Sequence, residues 1–442
     1  MRTFRSRHAL TSTLFSLLLL VLVGCSGDDG KDGAPGRAGE PGADAGGNQF
    51  SVRVDGVGPS DPAESIYVRK VGHGERVIVL IPGNNTSGAS FEPLLQVFRA
   101  VERLNRDYTV YAFDYRGSGR SSYNTRIRGL GDFAGDFEQV LRQLERRHGF
   151  PGSDVTLVGY SMGFAVALEM AIRNPARYGR LVGLAPVGTR GVRVSFNAAQ
   201  AGTDALNNSY AAGDWVPVAD DEAGIAATEL QQRSWQGENR TWANVQSVWD
   251  MVVFNDVLGY DLASFSATDE AFRADPAYAA TFADVLQVEY MPESLYYAHK
   301  FNVSDATVTA PAPNASGETV SIVGDGRLNA AGLAGRQALL VKAATDLAAW
   351  RGDLVIYDNY VQTSKFDLKE AGVSTTAVLI RPDQDYDHGF PITHPLAVAR
   401  LLDTFIQGEL SAASVAAALG GVELDYYPPE ETEFETDTFT GL

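Results

Sequence analysis

Ser161 stands between Gly159 and Gly163 in the stretch LVGYSMG. Apolar residues precede this motif and a run with helical spacing follows it, which predicts a sharp turn from a strand into a helix. The two glycines allow the strand and the helix to approach closely, and such a turn presents the serine hydroxyl above the sheet edge. A hydroxyl is a weak nucleophile that needs a base. The pattern therefore predicts nucleophilic catalysis by Ser161 if the fold supplies a histidine and an acid.

The chain offers few candidates for the base. Its six histidines stand at positions 8, 73, 148, 299, 388 and 394. His388 and His394 both lie in TTAVLIRPDQDYDHGFPITHP, directly after an apolar, strand-like run. His388 has a glycine beside it in a loop, whereas His394 precedes Pro395 and a helical pattern, where a capping or surface role is favoured. Two candidate acids follow apolar runs upstream, Asp358 in DLVIYD and Asp346 in LLVKAATD.

The elements that must position these residues are short apolar strands alternating with helical patterns. Strands are predicted at 49–56, 65–72, 76–81, 109–114, 154–159, 180–186, 353–358 and 375–380, the first two as an antiparallel hairpin. Helices are predicted at 90–104, 132–149, 165–174, 333–350 and 395–408. Buried strands that alternate with helices indicate an α/β fold, a mostly parallel sheet with helices on both faces.

The alternation stops in the middle of the chain, which predicts a large, mainly helical insertion over residues 190–349. Four of the five tryptophans lie in it, at positions 215, 235, 242 and 249. Its aromatic residues indicate either an apolar pocket or a core of the insertion's own. Residues 306–323 are typical of a small hairpin around NASG.

Three motifs resemble those of the α/β-hydrolase family. VLIPGNNTSGASFEPL resembles its first strand and Gly-turn, DYRGSGRSS its D-x-R-G-x-G-x-S loop, and LVGYSMG its nucleophile elbow. The resemblance covers residues 50–190 and 350–410. Pro82 departs from the histidine frequent at that position, and Phe164 from a common second glycine. Neither departure removes the chemistry, because the groups that bind an oxyanion in this family are backbone N–H groups.

The resemblance implies a Ser-His-Asp triad that works through an acyl-enzyme. The family places its histidine after the last strand, which implies His388. The acid follows the preceding strand, and Asp358 stands 30 residues before His388, although the usual G-x-x-D is absent there. Asp346 is the alternative. A buried carboxylate is needed because it fixes the tautomer of the imidazole and stabilises the imidazolium.

The same resemblance assigns the remaining parts of the site. The backbone N–H groups of Met162 and Asn84 would form the oxyanion hole. An insertion at 190–349 would be a cap over the serine that sets the choice of substrate. The two arginines of DYRGSGRSS are expected to bond turn carbonyls, a structural role.

The N-terminus predicts export. Arg2, Arg5 and Arg7 precede LFSLLLLVLV, and an apolar run of 10 residues is too short for a membrane span, which needs roughly 20. LVGC, ending at the single cysteine Cys25, resembles the lipobox of bacterial lipoproteins. That resemblance implies an acylated Cys25 and, because Ser26 follows it, an anchor in the outer membrane or at the cell surface.

A glycine-rich segment separates this anchor from the core. Residues 26–48 carry glycine at every third position from Gly27 to Gly42. The period is that of collagen, but six triplets are too few for a stable triple helix, so a solvated spacer is favoured over a trimeric stalk. The predicted segments are a leader over 1–24, the spacer over 25–48, core over 49–189 and 350–410, the insertion over 190–349, and an acidic, solvated tail over 411–442.

The composition of the chain excludes several classes of function. A net charge of −19 makes nucleic acid an unsuitable partner, and one cysteine excludes a disulfide framework and a cysteine-built zinc site. The chain has no dinucleotide fingerprint or metal motif, so no cofactor is expected. The sequence predicts a membrane-anchored serine hydrolase for a small ester or short peptide. An aminopeptidase and an inactive surface binding protein are the alternatives, and the oligomeric state stays open.

Overall fold

The computed structural model describes residues 48–84, 86–149, 154–191, 225, 292–309, 321–343, 354–381, 386 and 388–431. The leader, Cys25, the spacer up to residue 47, Asp346 and the tryptophans of the insertion lie outside these residues. In the described parts, no helix is both long enough and apolar enough to cross a bilayer.

The described residues form eleven strands and ten α-helices. The strands are β1 Gln49–Val54, β2 Glu64–Gly72, β3 Arg76–Ile81, β4 Tyr108–Phe113, β5 Val155–Tyr160, β6 Tyr178–Leu184, β7 Thr307–Thr309, β8 Ser321–Val323, β9 Gln337–Ala343, β10 Ser374–Ile380 and β11 Leu424–Tyr427. The helices are α1 Glu92–Ala100, α2 Glu102–Asp107, α3 Leu130–His148, α4 Met162–Arg173, α5 Pro292–Lys300, α6 Arg327–Ala330, α7 Leu354–Glu370, α8 Phe390–Thr393, α9 Pro395–Ile406 and α10 Ala412–Ala418.

Nine of these strands form one sheet in the described part of the chain, in the order β1-β2-β4-β3-β5-β6-β9-β10-β11. All neighbours from β4 to β10 are parallel. Strand β2 is antiparallel to both β1 and β4, and β11 is antiparallel to β10 at the other edge. This strand order, with an antiparallel second strand, is that of the α/β-hydrolase fold. The fold class predicted from the sequence is therefore confirmed.

Helices cover both faces of the sheet. In β3, Val77, Val79 and Ile81 belong to the core that contains α3, α4 and α7, whereas Ile78 and Leu80 belong to the core with α1, α9 and α10. Strands buried on both faces must be apolar throughout, which explains the continuous run RVIVLI. The predicted β1–β2 hairpin is confirmed. Strands β7 and β8 pair antiparallel as predicted, and the NASG turn between them lies outside the described residues.

The sequence prediction is wrong for two neighbouring elements. Residues 337–343 were expected to be helical but form β9, buried between β6 and β10. Residues 353–358 were expected to be a strand but lie at the start of α7. Alanine and leucine favour a helix in QALLVKA, and β-branched residues favour a strand in LVIY. Position in the sheet overrode both propensities, and the core therefore resumes at β9, before residue 350.

The C-terminal prediction also needs correction. Residues 412–427 form α10 and β11 and pack on the core instead of belonging to a solvated tail. Lys365, on α7, donates hydrogen bonds from Nζ to the carbonyl oxygens of Thr375 at 2.7 Å and Pro428 at 2.5 Å. This buried ammonium ties the end of β11 to α7. Residues 432–442 lie outside the described part of the chain.

The two described ends of the insertion lie side by side. The N–H of Val303, in the later described part of the insertion, donates to the carbonyl oxygen of Thr189, just before the insertion, at 3.0 Å. Asp367 on α7 accepts from the hydroxyl of Thr189 at 2.5 Å and from the guanidinium of Arg190 at 2.7 Å. The base of the insertion is thus fixed to the sheet's own helices. Most of its residues, and so the predicted helical cap, lie outside the described chain.

Candidate active site

Ser161 occupies the turn between β5 and α4, as the sequence predicts. Its φ of 53° and ψ of −122° lie in a region that residues with a β-carbon rarely adopt. Three backbone bonds fix this geometry: the N–H of Ser161 donates to Leu184, and its carbonyl oxygen accepts from the N–H groups of Phe164 and Val187. The surrounding fold therefore imposes a strained conformation on this residue, a feature that clusters at active sites.

Both glycines of the motif are required by close backbone contacts. A β-carbon on Gly159 would lie 2.3 Å from the Cα of Phe164, and one on Gly163 would lie 2.2 Å from the carbonyl oxygen of Ile81. No side chain fits at such distances. The glycines thus allow β5, α4 and the end of β3 to meet around Ser161, which confirms the reason given for them from the sequence.

Met162 and the loop after β3 supply backbone N–H groups beside the serine. Met162 is the first residue of α4, and the first N–H groups of a helix lack intrahelical acceptors and lie at the positive end of its dipole. Gly83 packs against the elbow, because a β-carbon there would be 3.2 Å from the β-carbon of Ser161. Asn84 is the next residue in the chain, so its N–H belongs to the peptide unit that Gly83 begins.

Two hydroxyl groups fix the peptide planes of this loop. Tyr115 donates to the carbonyl oxygen of Pro82 at 2.6 Å, and Thr86 donates to that of Gly83 at 3.0 Å. Because a trans peptide points its N–H opposite to its carbonyl, Thr86 also directs the N–H of Asn84 away from itself. The threonine three residues after Gly83 was not identified from the sequence, although a turn closed by a threonine hydroxyl is a recognised pattern.

Asp114 connects this loop to the DYRGSGRSS segment. Its carboxylate accepts from the N–H groups of Gly88 and Arg120, both at 2.8 Å, and from Arg69 at 2.5 Å. Complete burial raises the pKa of Asp114, although Arg69 and the N–H groups favour its ionised form. Asp114, which organises this segment, was not identified as a structural residue from the sequence, whereas the two arginines were.

The two arginines of that segment have structural contacts. Arg116 is fully buried and binds Asp136 through Nε at 2.7 Å. It also donates to the carbonyl oxygen of Thr125 at 3.3 Å, the kind of turn contact expected from the sequence. Arg120 donates to the hydroxyl of Tyr67 at 2.7 Å.

The fold brings His388 beside the elbow. It lies in the turn after β10, and its ring is 5.2 Å from the ring of Tyr160, the residue before Ser161. Its Nδ1 atom is buried. His394 instead stacks on Tyr386, with ring centroids 4.1 Å apart, at the start of α9. Of the two histidines left open by the sequence, His388 is the one whose ring packs against the elbow.

The structural reason for choosing Asp358 as the acid no longer holds. Asp358 lies within α7, not at the end of a strand. The strand next to β10 in the sheet is β9, which ends at Ala343. Asp346 follows that end by three residues and lies outside the described part of the chain. Among the described residues, no group of three or more histidine, cysteine or acidic side chains is arranged to bind a metal.

The insertion reaches the loop after β3 through α5. Ser294 is fully buried, and its hydroxyl donates to the side-chain oxygen of Asn84. Nothing in the sequence pattern indicated this contact between residues 210 positions apart. Together, the described elements place a strained serine, the first turn of α4, the Gly83 turn and an imidazole at one edge of the sheet. That is the equipment for nucleophilic attack on a carbonyl carbon.

Part of the chain is similar to a known protein family. A family model described as serine aminopeptidase, S33 matches residues 72–220, about a third of the chain. The matched residues include the loop after β3 and the turn that contains Ser161.

Solved structures give similar matches over most of the chain. A serine hydrolase from Cycloclasticus zankles is 16% identical, with 82% of this chain and 99% of that chain covered and a TM-score of 0.49. An esterase from Exiguobacterium antarcticum is 14% identical, with 81% and 100% covered and a TM-score of 0.47. A bromoperoxidase from Bacillus anthracis is 18% identical, with 81% and 99% covered and a TM-score of 0.45. The fold assignment rests on the strand order.

Proposed function

We propose that this chain, which has the α/β-hydrolase fold, is a serine hydrolase that cleaves a carboxylic ester or amide. Ser161 attacks the carbonyl carbon while His388 accepts the hydroxyl proton, and the N–H groups of Met162 and Asn84 bind the oxyanion. His388 then protonates the leaving group, and water hydrolyses the acyl-enzyme. The main support is the geometry at Ser161, a strained non-glycine residue with the Gly83 turn on one side and the ring of His388 packed on its neighbour Tyr160.

For the acid of the triad, we propose Asp346 in place of Asp358. In the resemblance, the acid follows the strand next to the histidine's strand, and the sheet identifies that strand as β9. Asp346 is three residues beyond its end, and three residues span at most about 11 Å. Asp358 lies in a helix, so the acid that follows the strand next to β10 is Asp346.

An ester is the first candidate substrate, and a short peptide with a free N-terminus is the second. The second is favoured by one observation, the match to the family described as serine aminopeptidase, S33. A panel of p-nitrophenyl esters of graded chain length, assayed beside aminoacyl arylamides, distinguishes the two. The bond that gives the higher kcat/KM identifies the class.

A fluorophosphonate probe tests the serine mechanism itself. We expect the wild-type chain to be labelled, and Ser161→Ala and His388→Ala to lose labelling while they stay folded by circular dichroism. Absence of labelling in a folded wild type would contradict the proposal and favour the inactive binding protein. Loss of labelling in Ser161→Ala alone, with His388→Ala unaffected, would require another base.

We further propose that the protein is anchored through lipid on Cys25 and that residues 26–48 act as a solvated spacer. The support is the leader and the LVGC motif, together with the acyl-chain contribution of about 0.8 kcal/mol per buried CH₂. Metabolic labelling with a fatty acid tests the anchor. We expect label on the wild type and none on Cys25→Ser, and a wild-type chain without label would overturn it.

A further inference from the structure

Helix α5, from the insertion, makes a side-chain contact with the residue proposed to bind the oxyanion. The hydroxyl of Ser294 donates to the side-chain oxygen of Asn84, and Ser294 has no solvent exposure. Asn84 is half-buried, and the insertion covers part of its side chain through this contact. The contact joins two segments that the sequence separates by 210 residues.

The helix that bears Ser294 is itself fixed at both ends. At its start, Glu293 accepts from Nε of Arg126 at 2.6 Å. At the end of α5, the backbone packs closely against Gly191. A β-carbon on Gly191 would be 2.7 Å from the carbonyl oxygen of Ala298. Val303, just beyond, is bonded to Thr189. Ser294 therefore presents its hydroxyl to Asn84 from a fixed position.

We propose that Ser294 is a positioning residue that couples the insertion to the oxyanion hole by holding Asn84. Thr86 orients the peptide that ends in the N–H of Asn84, and Ser294 holds the side chain of the same residue. The two contacts approach Asn84 from the core and from the insertion. Docking of α5 then determines whether the oxyanion donor is in place, so the insertion contributes to rate as well as to substrate choice. This inference rests on the proposed serine hydrolase function.

Loss of the Ser294 hydroxyl is expected to slow the chemical step. Loss of a complete oxyanion donor typically lowers the rate by about 10²–10³-fold, and a donor that is only displaced should cost less. We therefore expect Ser294→Ala to lower kcat by about tenfold and to leave KM within about twofold, because the substrate's ground state does not need the donor. Affinity for a boronic-acid transition-state analogue should fall in proportion to kcat/KM.

A double-mutant cycle provides the test. The variants Ser294→Ala, Asn84→Ala and the double variant are assayed with the best ester of the panel. Asn84→Ala keeps the backbone N–H but removes the partner of Ser294, so we expect each single variant and the double variant to show the same loss. Lys300→Gln, at the exposed end of the same helix, removes a charge that lies over the ring of Tyr296 and not against Asn84, and is the matched control. It should retain wild-type kcat.

The outcomes separate the inference from the function on which it rests. Independent, multiplicative losses in the double variant, or an equal loss in Lys300→Gln, would show that Ser294 does not act through Asn84. Wild-type kcat in Ser294→Ala, with normal fluorophosphonate labelling, would overturn the inference and leave the function intact. A wild type without labelling removes both. If Ser294→Ala does not fold, Asn84→Ala decides alone, and an unchanged kcat there overturns the inference.

Discussion

Gly83 lies directly against Ser161, and a β-carbon on Gly83 would approach the β-carbon of Ser161 to 3.2 Å. The same β-carbon would be 3.2 Å from the ring of Tyr160. Neither neighbour can retreat, since Ser161 is held by three backbone bonds and Tyr160 is buried. The loop must move instead, and Asn84 moves with it.

Gly83→Ala should therefore lower kcat by about 10–100-fold, within the range for a lost oxyanion donor. Steady-state kinetics with the best ester measures the effect. Gly129→Ala is the control, because Gly129 has an extended φ of 168° and a β-carbon there would be 4.0 Å from the backbone nitrogen of Gly131. An active Gly83→Ala enzyme would mean that the loop tolerates displacement.

Ser161→Gly should be more stable than Ser161→Ala, by about 1 kcal/mol. Both variants remove the hydroxyl, but only glycine relieves the strain at φ 53°, which costs about 1–3 kcal/mol for a residue with a β-carbon. The greater freedom of glycine in the unfolded chain offsets part of that gain. Urea unfolding measures the difference, and equal stability of the two variants would argue against a strained elbow.

Thr86→Val should lower kcat by about tenfold with little change in KM. Valine keeps the shape of threonine but cannot donate to the carbonyl oxygen of Gly83, so the peptide that presents the N–H of Asn84 is free to rotate. Thr86→Ser, which keeps the hydroxyl, should retain most of the activity. If the valine and serine variants are equally active, the hydrogen bond has no catalytic role.

Asp346→Asn should lower kcat by about 10³–10⁴-fold, because the acid of a triad fixes the imidazole tautomer. Asp358→Asn should lower kcat less than tenfold, since Asp358 lies within helix α7 and not after the end of a strand, where the triad acid is expected. Labelling rates with the fluorophosphonate probe provide a second measurement. The reverse order of losses would restore the assignment made from the sequence.

Asp136 should give the stability of the fold a pH dependence. Burial raises the pKa of Asp136 to about 6, against the opposing effect of Arg116. The folded chain thus binds this proton more tightly than the unfolded chain, where an aspartate has a pKa of about 3.9. The stabilisation is complete below pH 4 and is lost as the pH rises through 6.

Unfolding free energies of the wild type and Asp136→Asn at pH 4.5 and 6.5 test this dependence. The wild type should lose its advantage over the variant as the pH rises, because the variant lacks the titrating group. A difference that stays constant between the two pH values would contradict it.

The sequence by itself determined the elbow, the Gly-turn loop and the alternation of buried strands and helices. Gly159 and Gly163 leave no room for a side chain, and strands such as β3 are apolar on both faces. These requirements can be read from the sequence because each one leaves a short pattern of residue types in its own segment. The position of His388 could be inferred only with the help of the family resemblance.

Tertiary structure decided which of two apolar runs became β9 and which became α7. Short apolar runs do not distinguish a buried strand from a buried helix. Residues 337–343 form a strand because they pair with β6 on one side and β10 on the other. Tertiary structure also decided the hydrogen bond from Ser294 to Asn84 and the pairing of β11 with β10. Contacts between segments far apart in the chain leave no periodic signal in either segment, so only the folded chain reveals them.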